Sequence, residues 1–396
     1  MPITVPSGLI PVKSLTTAEV VSGDRVTSYR WEVLAHSGGV DRLVGFLDGV
    51  VEPSATLSWS SNAAVKGSGS LKVLDLDAAQ PGFMTVDQLP LESCRLRPVL
   101  VIDGLPEIPW GVFLPSAAPE EWSATGRVLS IDLLDKSTVL DQDKVDSSYT
   151  VDTATPVLAA VATVIASAGE TISVDATVTA TLASPMVWPA GTSKLTIVND
   201  LLAAINYSSL WVDGVGNFRA TPYVLPAKRS LAYELLNGVN RELVDGEDSI
   251  YEDEWSRDKD LYGVPNKVIA VQSGNGSATP LIGTYTNTDP NSPFSYQARG
   301  NRWIVGDPLT VDTPADTDAN VIAFLQAKAQ QTLVAKSAVQ ATVKVKHLPV
   351  PIRVTDAMRF ANVPAGIDAR HTITSTKLDA HPLGLMDTEL QEVIDL

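Results

Sequence analysis

Residues 127–135 read RVLSIDLLD and residues 155–169 read TPVLAAVATVIASAG, and the change of period between these two stretches decides the fold. In the first, Leu129, Ile131 and Leu133 alternate with Ser130 and Asp132, the period of a half-buried strand. In the second, Thr155 stands as N-cap before a proline at the first helical position. Val157, Leu158, Val161, Val164 and Ile165 then recur at spacings of three and four, and Gly169 closes the helix. Upstream, LSWSSN, GSLKVLDLD, RPVLVIDG and WGVFLP predict further short strands between turn residues. Pro98, Pro106, Pro109 and Pro115 are expected at edges and turns, since proline brings no N–H to a ladder.

Downstream of Gly169, TISVDATVTATLA alternates, with Ile172, Val174, Ala176, Val178 and Leu182 on one face, and predicts a strand. SKLTIVNDLLAAINY predicts a helix whose stripe is Leu195, Val198, Leu201, Leu202 and Ile205. WVDGVGNFRATPY predicts a hairpin turning at Asp213-Gly214 and Gly216-Asn217. Further on, NKVIAVQSG, ATVKVKHLPVPIRV and RHTITSTKLDA read as strands, and SGNGSATPLIGTYTNTDPNSP reads as a long loop. One helix near 318–337, capped by Asp316 or Asp318, carries Val321, Ile322, Leu325 and Leu333 on one side. The chain therefore reads as mainly β with α+β insertions. A β-rich part spans 1–150, an α/β insertion 151–225 and a second β-rich part 226–396.

Length and charge narrow the function. The 396 residues suffice for two or three domains with sizeable cores, and 44% apolar content excludes wholesale disorder. With 46 acidic against 29 basic residues the formal net charge is −17, which argues against tight, sequence-independent binding to nucleic acid and against anionic membranes. The start, MPITVPSGLIPVKSL, lacks a basic segment followed by a continuous apolar one, and no run is long enough to span a bilayer. A soluble, unprocessed chain without stable membrane insertion is expected. The single Cys94 forbids an intrachain disulfide and any multi-cysteine metal site.

The chemistry-bearing residues are few. His371, Asp379 and His381 could meet at a metal, but no two histidines have the i, i+4 spacing of a helical clamp, and His36 lies far along the chain. Asp141, Asp143 and Asp146 resemble the opening of a calcium loop without its glycine or closing glutamate. Glu120-Glu121 and Glu252-Asp253-Glu254 lie near tryptophans, as a glycosidase acid/base pair would. GVG at 214–216 and GNG at 274–276 lack the rest of a phosphate-cradling loop and read as turns. Arg95 and Arg97 beside Cys94 could lower the thiol's pKa, though a buried, inert thiol is the simpler reading. No catalytic, metal or cofactor site is expected. The window 241–260, RELVDGEDSIYEDEWSRDKD, holds nine acidic residues against three basic ones, as a solvated face or a surface toward a channel or basic partner would. Its acidic members include Glu242, Asp245, Glu247, Asp248, Glu252, Asp253 and Glu254.

Two stretches, LLAAINYSSLWVDGVGNFRATPY and YEDEWSRDKDLYGVPNKVIAV, carry a family likeness over roughly residues 190–275. A helix ends in Asn206-Tyr207, a strand bears Trp211, a hairpin holds Asp213 and Gly214, and Pro222-Tyr223 follow. An acidic stretch then carries Trp255 before Val264-Pro265-Asn266 opens a strand. This pattern resembles the minor tail proteins of long-tailed bacteriophages infecting actinobacteria, of the tail-hub or baseplate-hub class. The resemblance implies two tail-tube-like β-barrel domains interrupted by a small α/β domain. It also implies a homotrimer at the virion tail tip, assembled in the host cytoplasm and joining a sixfold tube to a threefold tip. The implied partners are the distal tail protein, the tape-measure protein and other tail-tip proteins, with DNA passing through and not tightly held. A net-negative lumen suits such passage, because each Lys or Arg contact to phosphate would retard it. The alternatives are a cell-wall carbohydrate-binding tail module using exposed tryptophans and a glycoside hydrolase.

Overall fold

The computed structural model describes residues 26–76, 79–123, 126–175, 177–237, 251–258, 264–273, 279–338 and 341–393. Apolar and β-branched runs between Gly, Pro and Asp turns pair into one 16-stranded sheet. Its path starts at Tyr251–Asp258 and passes through Thr342–His347, Met386–Glu392 and Ile367–Asp379. It continues through Thr56–Ser60, Gly67–Leu74, Gly126–Asp135, Phe113–Ala117, Cys94–Ile102, Thr27–Ser37 and Val40–Leu47 to Phe83–Met84. Leu231–Asn237 lies parallel to Ala357–Asn362, which in turn pairs with Ile367–Asp379.

The strand Ile367–Asp379 joins the two β-rich parts. Its first half pairs with Ala357–Asn362, from Ile367↔Asn362 to Thr372↔Ala357, and its second half pairs with Thr56–Ser60, from Ser375↔Ser60 to Asp379↔Thr56. At 13 residues it is long enough to take a different neighbour at each end.

The described residues form no closed barrel, so the two separate barrels implied by the resemblance give way to one shared sheet, curled at both ends. In the first part, the chain leaving Val40–Leu47 swings back to Gly67–Leu74. Val50 bridges Val73, Val51 N donates to Lys72 O at 2.8 Å, and Leu74 N donates to Gly49 O at 2.8 Å. In the second part, Tyr251 and Trp255 from the end strand each pack on Phe360 at 5.5 Å between ring centroids. Strand twist bends a sheet in this way before any ladder closes it. The core beneath is common to both parts, with Val33, Leu57, Leu96 and Ile131 in the same cluster as Leu235, Val343, Phe360 and Leu390.

The segment between the β-rich parts has its own core, in which helices Val157–Ser167 and Lys194–Ala204 bury Val161, Ile165, Val198 and Leu202 against Leu182 and Phe218. Pro156 itself is the N-cap of the first helix, one residue later than expected. Ser193 caps the second, accepting from Thr196 N at 3.2 Å. The alternating stretch 171–182 is extended but joins no ladder. Its described residues meet other segments through the bridges Ile172↔Phe218 and Leu182↔Pro314 and through single hydrogen bonds, Ala180 O accepting from Val157 N at 2.8 Å and Thr181 O from Ala315 N at 2.9 Å. Ile172, Val174 and Val178 lie on the insert core, Asp175 turns the chain by accepting from Thr177 N, and Ala176 lies outside the described residues. Its period satisfies burial alone. A third, small core joins the helix Asp318–Ala338 to a three-stranded sheet through Val268, Ala270, Val321, Leu325, Ala329 and Leu333. That sheet includes Ile282–Thr286, a strand inside the stretch expected to be a loop.

Pro98 departs from expectation too, lying buried inside Cys94–Ile102 opposite Trp31, where its carbonyl accepts from Trp110 N at 2.9 Å. Among the described residues, no helix is long and apolar enough to cross a membrane.

Candidate functional site

The family-like positions prove to be caps and pins around a junction. After Lys194–Ala204, Asn206 takes φ 60°; its N–H donates to Ala203 O at 3.1 Å, and Tyr207 N donates to Leu202 O at 2.9 Å. This is a Schellman end with asparagine at the left-handed position. The Asn206 carbonyl accepts from Tyr223 N at 2.9 Å, and Tyr207 bridges Pro222, so the helix end is stitched to the segment that leaves the insert. Its side chain accepts from Gln331 Nε2 at 2.6 Å, tying the insert to the long helix.

Asp213 is fully buried at the hairpin between Trp211–Val212 and Phe218–Arg219. It accepts from Val215 N, Asn217 N and Asn217 Nδ2 and pairs with Arg219 at 2.8 Å, which fixes the turn that Gly216, at φ +97°, allows. Gly214 O accepts from Gly111 N at 2.9 Å, docking the hairpin on the first β-rich part. Asn266, also fully buried, donates to Arg302 O and accepts from Ile304 N, both at 2.8 Å, beside the buried Val264. Pro265 lies between them, and Trp255 packs in the core.

Trp211, Asp213, Gly214 and Pro222 line a crevice of about 560 Å³ where the insert meets both β-rich parts. Opposite them stand Trp59, Trp110, Phe113, Lys66 and Asp135 from the first part and Arg229, Arg353 and Asp356 from the second. Lys66 Nζ donates to Ser209 Oγ at 2.6 Å and to Leu210 O at 3.2 Å. Burial pushes the Lys66 ammonium down to about 8, with Asp135 opposing and the Arg353 charge adding to the fall. Burial also pushes the Asp135 and Asp356 carboxyls up, against hydrogen bonds from Ser137 and Gly67 to the first and from Arg353 to the second. The Arg353 guanidinium lies 4.0 Å from the Trp211 ring centroid, a cation–π contact. Sequence reading missed Lys66, Arg229, Arg353 and Asp356, which lie in separate stretches with no spacing signal.

A second buried junction latches the insert to the first β-rich part. Arg95 lies 2.7 Å from Asp41 and 2.5 Å from Glu170, and Lys136 lies 2.8 Å from Asp41 and 2.9 Å from Glu170. The Lys136–Glu170 contact is an ion pair off hydrogen-bond alignment. His36 Nδ1 lies 2.7 Å from Asp41 Oδ1 and Nε2 lies 3.0 Å from Gly169 O. Burial opposes ionisation of Asp41, but hydrogen bonds from Lys136 and His36 and the Arg95 charge hold its carboxyl below the usual range.

The other candidates come apart. His371 is fully buried, edge-on to Phe360, and Asp379 lies eight positions further along the same strand, roughly 26 Å away at the rise of a β-strand. No group of three metal-ligating side chains forms among the described residues. Asp143 pairs with Lys194 at 2.6 Å. Glu120 and Glu121 are successive residues of one strand and point to opposite faces; Glu120 lies 3.4 Å from Arg127. Burial raises the Cys94 thiol to about 11, and Arg95 and Arg97 are turned to Glu170 and Glu32, so the thiol is not activated. In the acidic window, Glu252 and Glu254 are exposed on the strand Tyr251–Asp258, and Asp253 belongs to the same strand. Glu242, Asp245, Glu247 and Asp248 lie outside the described residues.

No protein-family model matches the sequence, and no curated protein matches it. Solved structures match end to end. A tail protein from Neisseria meningitidis MC58 superposes with a TM-score of 0.56 at 14% identity, over 92% of this chain and 97% of that one. The 43 kDa tail protein of prophage MuSo2 from Shewanella oneidensis gives 0.55 at 12% identity, over 91% and 98%. Prophage tail protein gp18 from Listeria monocytogenes EGD-e gives 0.52 at 14% identity, over 91% and 94%. The chain has a fold that phage tail proteins share.

Proposed function

We propose that this chain is a structural component of a phage-type tail. The reading rests on one observation: the likeness to the Neisseria tail protein runs over 92% of this chain and 97% of that one, so the whole architecture is matched and not a single module. In its finer form, the chain is the homotrimeric hub at the tail tip, assembled in the host cytoplasm, continuing the tube channel and joining the sixfold tube to the threefold tip. Its neighbours are then the distal tail protein, the tape-measure protein and other tail-tip proteins, and DNA only passes through. The β-rich parts 1–150 and 226–396 serve as the two tube-like units, and 151–225 as the insertion between them. Within this reading Asn206, Tyr207, Asp213, Pro222 and Asn266 hold the parts in register, and Glu252 and Glu254 belong to a lumen or partner face. Open strand edges supply subunit contacts. The strand Val40–Leu47 carries exposed Val40, Leu43 and Val44, and among the described residues its outer side pairs only at Phe46 and Leu47 with Phe83–Met84.

Light scattering on the purified chain tests this: a mass three times 42.1 kDa, with threefold rings in negative-stain images, is the expected result. A monomer at all concentrations, with no ring, removes the hub. Trp122, 74% exposed on the strand Glu120–Ser123, favours the second reading, a carbohydrate-binding tail module. That reading expects peptidoglycan pull-down to be lost in Trp122→Ala.

A further inference from the structure

The crevice at the three-part junction has an imbalance that its structural role leaves unexplained. All three of its carboxylates are occupied by the protein. Asp135 accepts from Gly67 N, Ser137 N and Ser137 Oγ, and Asp356 accepts from Arg353 N at 3.1 Å and Arg353 Nε at 2.7 Å. Asp213 is held by its own hairpin and Arg219. Donors, in contrast, are left over. Among the described residues, both terminal nitrogens of Arg353 lack a hydrogen-bond partner, Lys66 has acceptors for two of its three protons, and Trp110 Nε1 is buried with no partner. Trp110 is only 3% exposed, so that orphaned N–H carries a desolvation cost unless something accepts from it. Trp59 and Trp211 line the same crevice, and Phe113 is fully buried behind them.

We propose that this crevice is a binding site for a carboxylate carried on an apolar or aromatic body. The carboxylate takes the open fork of Arg353, in the geometry that guanidinium and carboxylate share, and Lys66 supplies a second positive charge. The body lies against Trp59 and Trp211. A volume of about 560 Å³ suits a small molecule or the last residues of a peptide. Trp59 and Lys66 also line a neighbouring groove of about 700 Å³, together with Trp255 and Lys346. Arg353 and Lys66 are mutually repulsive, and Arg353 and Arg229 likewise, so an anion between them relieves a standing electrostatic cost. The inference does not rest on the tail reading, and its test is independent of oligomeric state.

The test uses the full chain and defined probes. Titration calorimetry, with tryptophan fluorescence as a second signal, compares 3-phenylpropionate with 3-phenylpropanamide. The acid is expected to bind about tenfold or more tightly than the amide, which keeps the body and removes the charge. Arg353→Gln, checked for folding by near-ultraviolet circular dichroism, is expected to lose about tenfold in affinity for the acid and little for the amide. The tripeptide Gly-Gly-Phe, with free or amidated C-terminus, distinguishes the sources. A free-acid tripeptide that binds at least as well as 3-phenylpropionate identifies a peptide terminus, and binding of 3-phenylpropionate alone identifies a small acid. Equal binding of acid and amide, or no binding of either acid at millimolar concentration, overturns the proposal. The acid–amide comparison on the unaltered chain decides even if Arg353→Gln does not fold.

Discussion

At the latch between Asp41 and Glu170 every charge has an opposite neighbour within 2.9 Å, whereas at the crevice the cations outnumber the groups left to receive them. Both junctions join the insert to the β-rich framework, and both stand beside a Schellman end. The latch uses Gly169, at φ +78°, whose carbonyl meets His36; the crevice side uses Asn206, whose carbonyl meets Tyr223. The difference is saturation. Two acids and two bases in mutual contact leave nothing for a ligand to do, so the latch fixes position. A junction with open donors around a void both fixes position and can accept a guest.

The largest expected effect breaks the latch. Glu170→Ala leaves Arg95 and Lys136 buried without one of their two anions, and should cost about 3–5 kcal/mol in urea unfolding, since orphaned buried charges are far worse than absent pairs. Arg353→Ala, whose side chain is 31% exposed, should cost less, about 1–2 kcal/mol. If the two substitutions cost the same, the contrast in saturation is wrong.

Alkaline pH sharpens the comparison from the other side. Folding lowers the Lys66 pKa from 10.5 to about 8, so between those values the unfolded chain holds a proton that the folded chain has released. Stability should therefore rise with pH across that window, by about 2–3 kcal/mol for Lys66. Lys328, also pushed down to about 8 by burial, contributes a rise of the same sign, so the comparison to make is the unaltered chain against Lys66→Met. The variant should show a visibly shallower rise. At the acid end the latch responds instead: the Asp41 carboxyl, held low, contributes stability above its ordinary value that is lost as pH falls through the lowered one.

Smaller effects come from the two helix ends. Gly169→Ala and Asn206→Ala each force alanine into a left-handed backbone and should cost about 1 kcal/mol or more, while Asn206→Gly should recover the backbone part of that loss and not the hydrogen bond from Gln331. The smallest is Trp122→Ala, at an exposed site, which should move stability by less than about 0.5 kcal/mol. Stability within that limit together with lost peptidoglycan binding would move the balance toward the carbohydrate reading.

What the sequence made legible follows the range of the forces involved. Helices Val157–Ser167 and Lys194–Ala204, the hairpin at Asp213 and the strand Gly126–Asp135 are set by periods and turn residues within a few positions of each other, and all were readable. The partnership of Ile367–Asp379 with Thr56–Ser60 spans most of the chain, and no local pattern announces it. The strand Ile282–Thr286 was hidden because glycine, threonine and asparagine dominate its surroundings; Gly283 is there because a Cβ would strike the Leu325–Gln326 backbone of the helix. The stretch 171–182 misled in the opposite direction, since alternation reports which side is buried and not whether a neighbour offers hydrogen bonds. As for the site, the motif positions stood out as a pattern, but their work as caps and pins required the fold. The crevice cations, drawn from residues 66, 229 and 353, had no pattern to read.

The strand Ile367–Asp379 also has a mechanical consequence. Because one unbroken segment of backbone belongs to both halves of the sheet, a pull or twist on either half loads the Thr56–Ser60 seam along its length, where antiparallel bonds resist sliding together and not one at a time. The two halves cannot swivel as separate bodies while that seam holds, so torque applied at one end of the molecule arrives at the other.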